Sequence, residues 1–122
     1  MRPLVEVLAA VAAAAALPCA AQADSVADLE ERIRGVPDDS HLYELQARAY
    51  EASGRRISQH RAQAEAYYRR GNLAAAVDQL EIAVRQVRGS DFYELSIAES
   101  RLRDLRLQLE NERAAEKALK IS

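Results

Sequence analysis

Residues 60–87 read HRAQAEAYYRRGNLAAAVDQLEIAVRQV and carry the strongest helical pattern in the chain. In their second half, apolar residues recur at intervals of three and four, which places them on one face of a helix. Gly71-Asn72 interrupts the run, and both residues tolerate the left-handed conformation that a tight turn between helices requires. We therefore predict two antiparallel helices, at about 56–70 and 73–87. The apolar face of the second helix consists of Leu73, Ala76, Val77, Leu80, Ala83, Val84 and Val87.

The same signals predict three further helices, at about 25–33, 40–53 and 91–120. Asp38-Asp39-Ser40 offers N-cap side chains to the second of these, and Gly54 closes it. The apolar residues of the helix at 91–120 become sparse toward its end, so its last ten or so residues are expected to fray. Few prolines remain to form the turns of a sandwich or barrel. Aromatic residues, which favour strands, are also few. The predicted fold class is all-α.

The first 23 residues have the three parts of a secretory signal peptide. Arg2 supplies a positive start, residues 7–17 are an apolar run, and Ala21-Gln22-Ala23 is a small-residue cleavage site. The run is shorter than the roughly 20 residues that a spanning helix needs, so we predict no transmembrane segment. Cleavage after Ala23 predicts a periplasmic or secreted protein. Cys19 is the only cysteine, and Pro18 before it disfavours the alternative of a lipoprotein, which needs a small residue at that position.

The remaining composition offers no evidence for a catalytic or nucleic-acid-binding role. Acidic and basic residues are interspersed and the net charge is −2, which gives no reason to expect a nucleic acid or an anionic membrane as partner. His41 and His60 are nineteen residues apart and lack a partner one turn away, so capping or packing roles are expected. With no phosphate loop or catalytic set of side chains, we expect no cofactor, no metal and no enzymatic activity.

An internal repeat becomes visible when the chain is offset by seventeen residues, which places 43–54 on 60–71. Both segments describe a helix with small residues for close approach, an aromatic residue, and a glycine that turns the chain back. The matching residues are Gln46, Ala47, Ala49, Tyr50 and Gly54 in the first segment, and Gln63, Ala64, Ala66, Tyr67 and Gly71 in the second.

At about 57–90 the chain resembles a tetratricopeptide repeat, whose period of roughly 34 residues is twice this offset. The residues that match its small, aromatic, turn and apolar positions are Ala64, Tyr67, Gly71, Ala76, Leu80 and Ala83. The chain departs from the repeat at His60, Gln63 and Arg88. The resemblance implies a short antiparallel helical repeat, an α-solenoid fragment, over 24–90, in which a half-formed unit at 40–54 shares the helix at 56–70. A long charged C-terminal helix follows over 91–122.

The same resemblance implies a surface for a peptide partner. Arg61, Glu65, Tyr68 and Arg69 would fall on the face of the helix that lines the binding groove of tetratricopeptide proteins, whereas Tyr67 would lie in the core. An ordinary solvated face is the alternative interpretation of these four residues.

The last helix combines an apolar seam with mixed charge. The seam indicates either the core of the chain or self-association through the C-terminal helix. The mixed charge is typical of a solvated surface with weak ion pairs. The seam residues are Leu95, Ala98, Leu102, Leu105 and Leu109. The alternating charges are Arg101, Arg103, Arg106 and Arg113 with Glu99, Asp104, Glu110 and Glu112.

Residues 41–109 are similar to the C-terminal part of periplasmic zinc metallopeptidases of the beta-barrel assembly-enhancing group. The similar stretches lie at 42–50, 60–72, 79–83 and, most distinctively, Asp91-Phe92-Tyr93-Glu94-Leu95. In that family an HExxH helix holds the zinc and activates water, and this chain has no such motif. The resemblance therefore implies a non-catalytic tail.

Two functions follow from these resemblances as expectations. The first is a non-catalytic periplasmic interaction module that binds a protein or peptide of the cell envelope, with a role in outer-membrane protein assembly or quality control. The alternative is a truncated or detached tail of a zinc metallopeptidase that acts only with a separate catalytic chain. A structural helical oligomer without a specific ligand is a third interpretation.

Overall fold

The structure, a computed structural model, describes residues 25–86 and 91–121. Within these ranges the chain forms five α-helices and no strand, which confirms the prediction of an all-α chain. The helices are α1 (Val26–Gly35), α2 (Ser40–Ala52), α3 (Arg56–Arg69), α4 (Leu73–Val84) and α5 (Phe92–Ile121). None of these helices is long and apolar enough to cross a membrane.

Three helix ends differ from the predicted ones. α1 continues two residues past Ile33, to Gly35. α4 ends at Val84 because Arg85 begins a turn, so the predicted continuation to Val87 is wrong. α5 remains helical to Ile121 instead of fraying, and its last turns consist mainly of Ala, Glu, Lys and Leu, which are strong helix formers.

Several predictions concern residues outside the described ranges. These are the signal peptide at 1–23 with Cys19 and its cleavage site, and Val87 at the end of the predicted apolar face. Arg88, a departure from the repeat pattern, also lies there.

The two halves of the internal repeat end in the same turn. Gly54 and Gly71 have φ angles of 75° and 81°, in the left-handed region that favours glycine. The N–H one residue after each glycine donates to the carbonyl of Tyr50 or Tyr67, at 2.9 Å in both turns. This six-to-one bond is the Schellman closure of a helix C-terminus. The offset of seventeen residues found in the sequence therefore relates two turns of the same geometry.

Asn72 has a different role from the predicted one. Its φ of −97° is not left-handed, and its side-chain oxygen accepts the N–H of Ala75 at 3.1 Å. Asn72 is thus the N-cap of α4, where its side chain satisfies an amide that the first turn leaves unpaired. Asp39 caps α2 in a similar way by accepting the N–H of His41 at 3.0 Å.

The helices pack mainly in chain order, each against the next, except that α3 also contacts α5. The largest apolar cluster, here called the main core, joins α3, α4 and α5. A smaller cluster joins α2 and α3, and Val26 of α1 packs on it. The main core consists of Ile57, Ala64, Leu73, Ala76, Val77, Leu80, Ala83, Ala98, Leu102 and Leu105.

The predicted seam of α5 belongs to this main core. Ala98, Leu102 and Leu105 are buried in it, and Leu95 and Leu109 pack against its edge. Contacts within the same chain therefore occupy the seam, and it is not available as a surface for self-association.

Candidate functional site

A cleft of about 250 Å³ opens between α2, α3 and α5, here called the α2–α3–α5 cleft. Its volume is below the roughly 300–1,000 Å³ of pockets that enclose a drug-sized molecule. The cleft therefore suits a few side chains of a larger partner rather than a whole small molecule. The lining residues are Tyr43, Gln46 and Tyr50 of α2, Ser58, Arg61, Ala62 and Glu65 of α3, Leu80 of α4, and Ile97 and Arg101 of α5.

The Glu65 carboxylate forms ion pairs with two arginines at the cleft. It lies one turn after Arg61 on α3, so both side chains leave the same face of that helix. Arg101 of α5 donates to both oxygens of Glu65, from Nε at 2.7 Å and from Nη2 at 3.2 Å. Arg69 Nη1 lies 3.1 Å from the same carboxylate. The Glu65 side chain is only 21% exposed, so these pairs are partly shielded from solvent.

The Glu94 carboxylate likewise forms ion pairs with two arginines, Arg55 and Arg61. Arg55 Nη2 donates to it at 3.2 Å, and Arg61 forms a second ion pair with its other oxygen. The Glu94 side chain is 12% exposed. Four guanidinium groups thus share two carboxylates around the cleft. The side chain of Asp38, 3.8 Å from Arg69, is almost fully solvated, so its pairing with that arginine is weak.

Tyrosine rings lie against these arginines. The guanidinium carbon of Arg55 is 4.8 Å from the centre of the Tyr50 ring, and that of Arg101 is 4.8 Å from the centre of the Tyr68 ring. Arg69 lies near the Tyr68 ring as well, at 5.2 Å. Cation–π contacts of this kind hold planar guanidinium groups in fixed orientations. Arg55, Arg69 and Arg101 are therefore each held by a tyrosine ring as well as by a carboxylate.

Two groups of the cleft have shifted pKa values. Burial raises the pKa of the Tyr50 hydroxyl above its ordinary value, and the nearby carboxylate of Glu30, which accepts its hydrogen bond at 3.2 Å, adds to the effect. For Arg101, burial lowers the pKa, but the hydrogen bonds and charge of Glu65 outweigh it and the net shift is upward. Tyr50 thus stays neutral and Arg101 stays charged at neutral pH.

Ser58 is the unusual polar residue of the cleft wall. Its side chain is 1% exposed, and Oγ has no hydrogen-bond partner within the described residues. Buried hydroxyl groups are nearly always hydrogen-bonded in native proteins. The wall of the cleft therefore contains one buried hydroxyl group whose hydrogen-bonding capacity is unused within the described residues.

The four predicted groove residues are close together but are not equally placed. Arg61 and Glu65 line the cleft, whereas Tyr68 and Arg69 lie beside it. All four are partly buried rather than fully solvated, because α5 lies across this face and supplies Arg101.

Sequence reasoning missed the residues that α2 and α5 contribute. Tyr43 and Tyr50 are seven residues apart, a spacing that places both on one face of α2. No comparable signal identified Glu94, and Arg101 was assigned to a solvated surface although it reaches Glu65. Which face of α5 meets α3 depends on tertiary packing, which the pattern of charges does not reveal.

The predicted repeat-packing residues occupy three kinds of position. Ala64, Ala76, Leu80 and Ala83 are fully buried in the main core. Tyr67 is partly buried and packs against that core. Gly71 forms the left-handed turn between α3 and α4.

The two histidines are in separate surroundings. His60 Nδ1 lies 2.9 Å from Gln79 Oε1, which links α3 to α4. His41 Nδ1 lies 3.6 Å from Glu44 on an exposed part of α2. Among residues 25–86 and 91–121, no group of three His, Cys, Asp or Glu side chains is placed to hold a metal ion.

Comparison with known proteins adds no relative, because the chain matches no protein-family model, no curated protein and no solved structure.

Proposed function

We propose that the chain is a non-catalytic protein-interaction module of tetratricopeptide type, which binds a segment of a partner protein in the α2–α3–α5 cleft. The observation that carries this proposal is the sharing of two carboxylates by four guanidinium groups around a partly shielded cleft. Each guanidinium group has five N–H donors, so arginines that share a carboxylate keep donors for a negatively charged ligand.

The tetratricopeptide assignment is supported by the repeat itself. Gly54 and Gly71 close α2 and α3 with the same hydrogen-bonded turn, seventeen residues apart. α3 packs against both α2 and α4, which agrees with a helix shared between two units. The small residues Ala64 and Ala76 are fully buried where α3 and α4 meet.

An acidic peptide segment is the ligand that this chemistry favours. Guanidinium groups bind carboxylates through paired, charge-assisted hydrogen bonds, and Arg61 and Arg101 both line the cleft. Its small volume suits individual Glu or Asp side chains, with the rest of the peptide along the surface.

The cellular setting is proposed from the sequence. The predicted signal peptide supports a periplasmic or secreted location, and the resemblance to a metallopeptidase tail supports a partner in outer-membrane protein assembly or quality control. A detached metallopeptidase tail would use the same surface but would bind its own catalytic chain.

The proposal is tested by measuring the binding of short fluorescent peptides to the purified protein by anisotropy. A Glu-rich peptide is compared with matched peptides in which Gln or Lys replaces every Glu. We expect the Glu-rich peptide to bind best and its affinity to fall as salt is added, because salt screens exposed charges. Equal binding of the Glu-rich and Gln-rich peptides would contradict the proposal.

Single substitutions localise the binding. Arg61→Gln and Arg101→Gln each remove a guanidinium group that lines the cleft, and we expect about tenfold weaker binding of the Glu-rich peptide. Arg106→Gln is the matched control, because Arg106 pairs with Glu81 at 3.1 Å and does not line the cleft. The control should bind like the parent protein.

A further inference from the structure

The end of α5 continues beyond the main core. Every residue from Glu110 to Ile121 is exposed, so about twelve residues, or about 18 Å of helix, lie outside the packed part of the chain. Most helical stability in proteins comes from the packing of an apolar face. Burial of one face against another helix would stabilise this segment.

A second stripe, of apolar residues interrupted by Asn111, runs along this segment. Leu107 is 59% exposed and Ile121 is 88% exposed, and between them the spacing alternates between four and three residues, as in a coiled coil. We call this stripe the distal seam. It consists of Leu107, Asn111, Ala114, Ala118 and Ile121.

The distal seam and the buried seam lie on opposite sides of α5. At about 100° per residue, Leu107 is rotated by about 200° from Leu105, which is buried in the main core. The contacts of α5 with α3 and α4 therefore leave the distal seam facing away from the body of the chain.

Charged residues beside the distal seam point to its occupant. Glu110 and Lys117 each directly precede a seam residue, Asn111 and Ala118, so they lie along the same edge. In an antiparallel pair of identical helices this edge meets its own copy. Glu110 then faces Lys117 of the second copy, and the same ion pair forms twice.

A parallel pair lacks this complementarity. In that arrangement the edge with Glu110 and Lys117 meets the opposite edge, which carries Gln108 and Ala115 and has no charge to pair. Along the seam itself, Ala114 and Ala118 permit a close approach of two helices.

We propose that two copies of the chain associate in antiparallel orientation through the distal seam of α5, with Glu110 of each copy against Lys117 of the other. This association does not depend on ligand binding in the α2–α3–α5 cleft.

Charge exchange tests both the association and its orientation, with sedimentation equilibrium of the purified protein over a range of concentrations as the measurement. Glu110→Lys and Lys117→Glu each place like charges opposite each other in the homodimer. We expect each single variant to dimerise about tenfold more weakly than the parent protein. An equimolar mixture of the two variants restores both ion pairs, and we expect it to form a heterodimer with the parent's affinity.

Glu116→Lys is the matched control. It changes the net charge as much as Glu110→Lys does, but Glu116 is on the side of α5 away from the distal seam, so dimerisation should be unchanged. Circular dichroism verifies that each variant retains its helices. A parent protein that stays monomeric at the highest concentration overturns the proposal, as do single variants that dimerise like the parent or a mixture that forms no heterodimer.

Discussion

Glu65 and Glu94 each form ion pairs with two arginines, and this sharing connects α3 with α5 through side chains 33 to 36 residues apart in sequence. Both carboxylates are partly buried, so their pairs are screened less than surface pairs. Removing either carboxylate would leave two guanidinium groups without their shared acceptor. The arrangement of side chains around the cleft therefore depends on its acidic residues as much as on its arginines.

Close contact between α3 and α4 depends on the small size of Ala76, which is fully buried in the main core. We predict that Ala76→Leu lowers the free energy of unfolding by about 1–3 kcal/mol, because the added methyl groups overpack the core. Urea unfolding measures the effect. Ala74→Leu is the control, since Ala74 is an exposed residue of α4, and an equal loss in both variants would refute the prediction.

A second prediction for a single residue concerns the pH dependence of stability. Burial and Glu30 raise the pKa of Tyr50 above the ordinary value of 10.0, so the folded chain holds this proton more tightly than the unfolded chain. The contribution of Tyr50 to the free energy of unfolding is therefore fully present below about pH 10. It is lost as the pH rises from there through the pKa of Tyr50 in the folded chain.

Urea midpoints measured across this alkaline range check the sign. Tyr50→Phe should show a smaller decrease with rising pH, whereas Tyr93→Phe, which changes an exposed tyrosine, should behave like the parent protein. A decrease of the same size in all three proteins would show that Tyr50 is not its source.

At the scale of the elements, α3 has the largest set of neighbours. It packs against α2 and α4 and also contacts α5, with Ala62 in the smaller cluster and Ala64 in the main core. Small residues on two different faces thus let α3 pack closely against one helix on each side, as a helix shared by two repeat units would. Its exit toward α4 is fixed by the left-handed turn at Gly71.

We predict that Gly71→Ala lowers the free energy of unfolding by about 1–2 kcal/mol, because a Cβ disfavours the left-handed conformation. A Cβ at this position would meet no atom within 4 Å, so the cost arises from the backbone alone. Gly35→Ala is a control with no steric contact and no positive φ. Chemical denaturation should show unchanged or slightly higher stability for Gly35→Ala, and a comparable loss in both variants would contradict the prediction.

Most of the fold could be predicted from the sequence because its signals are local. Gly54 and Gly71 mark helix ends, and the periodic apolar residues of α4 and α5 identify their buried faces. The end of α4 at Val84 could not be predicted, since its apolar pattern continues to Val87.

The candidate site was predicted only in part, for a physical reason. Arg61 and Glu65 belong to one helix, and their spacing reveals a common face. Glu94 and Arg101 join them only because of how α5 crosses α3, and this crossing is set by packing between elements distant in sequence. The distal seam was missed because the stronger seam of Leu102 and Leu105 dominates the apolar pattern of α5.

The whole molecule has a packed body and an exposed extension. The body comprises α1 to α4 and α5 as far as Leu109. The extension, from Glu110 to Ile121, is exposed throughout. The two parts therefore contribute differently to stability and to association.

We predict that a chain ending at Leu109 unfolds at the same temperature as the parent protein at low protein concentration, because no residue buried in the body is lost. At high concentration only the parent should become more stable, since association favours the folded state. Thermal melts at two concentrations measure both effects. Leu105→Ala, which removes a side chain buried in the main core, should cost about 2–5 kcal/mol at either concentration.

If the shortened chain melted far below the parent protein at low concentration, residues 110–122 would contribute to the body directly. If its stability rose with concentration as the parent's does, the association would lie elsewhere on the molecule.

The packing of the helices in chain order has a further consequence, for the time course of folding. Nearly every helix contacts the one that precedes it, so most partners are close in sequence, and proteins with such local contacts fold within microseconds to milliseconds. The contact between α3 and α5 is the exception, because it joins helices that are not adjacent in the chain and forms only when α5 docks. Arg101 and Glu94 reach α3 only at that step. The cleft is therefore completed only when α5 docks, at the step that also closes the main core with Ala98, Leu102 and Leu105.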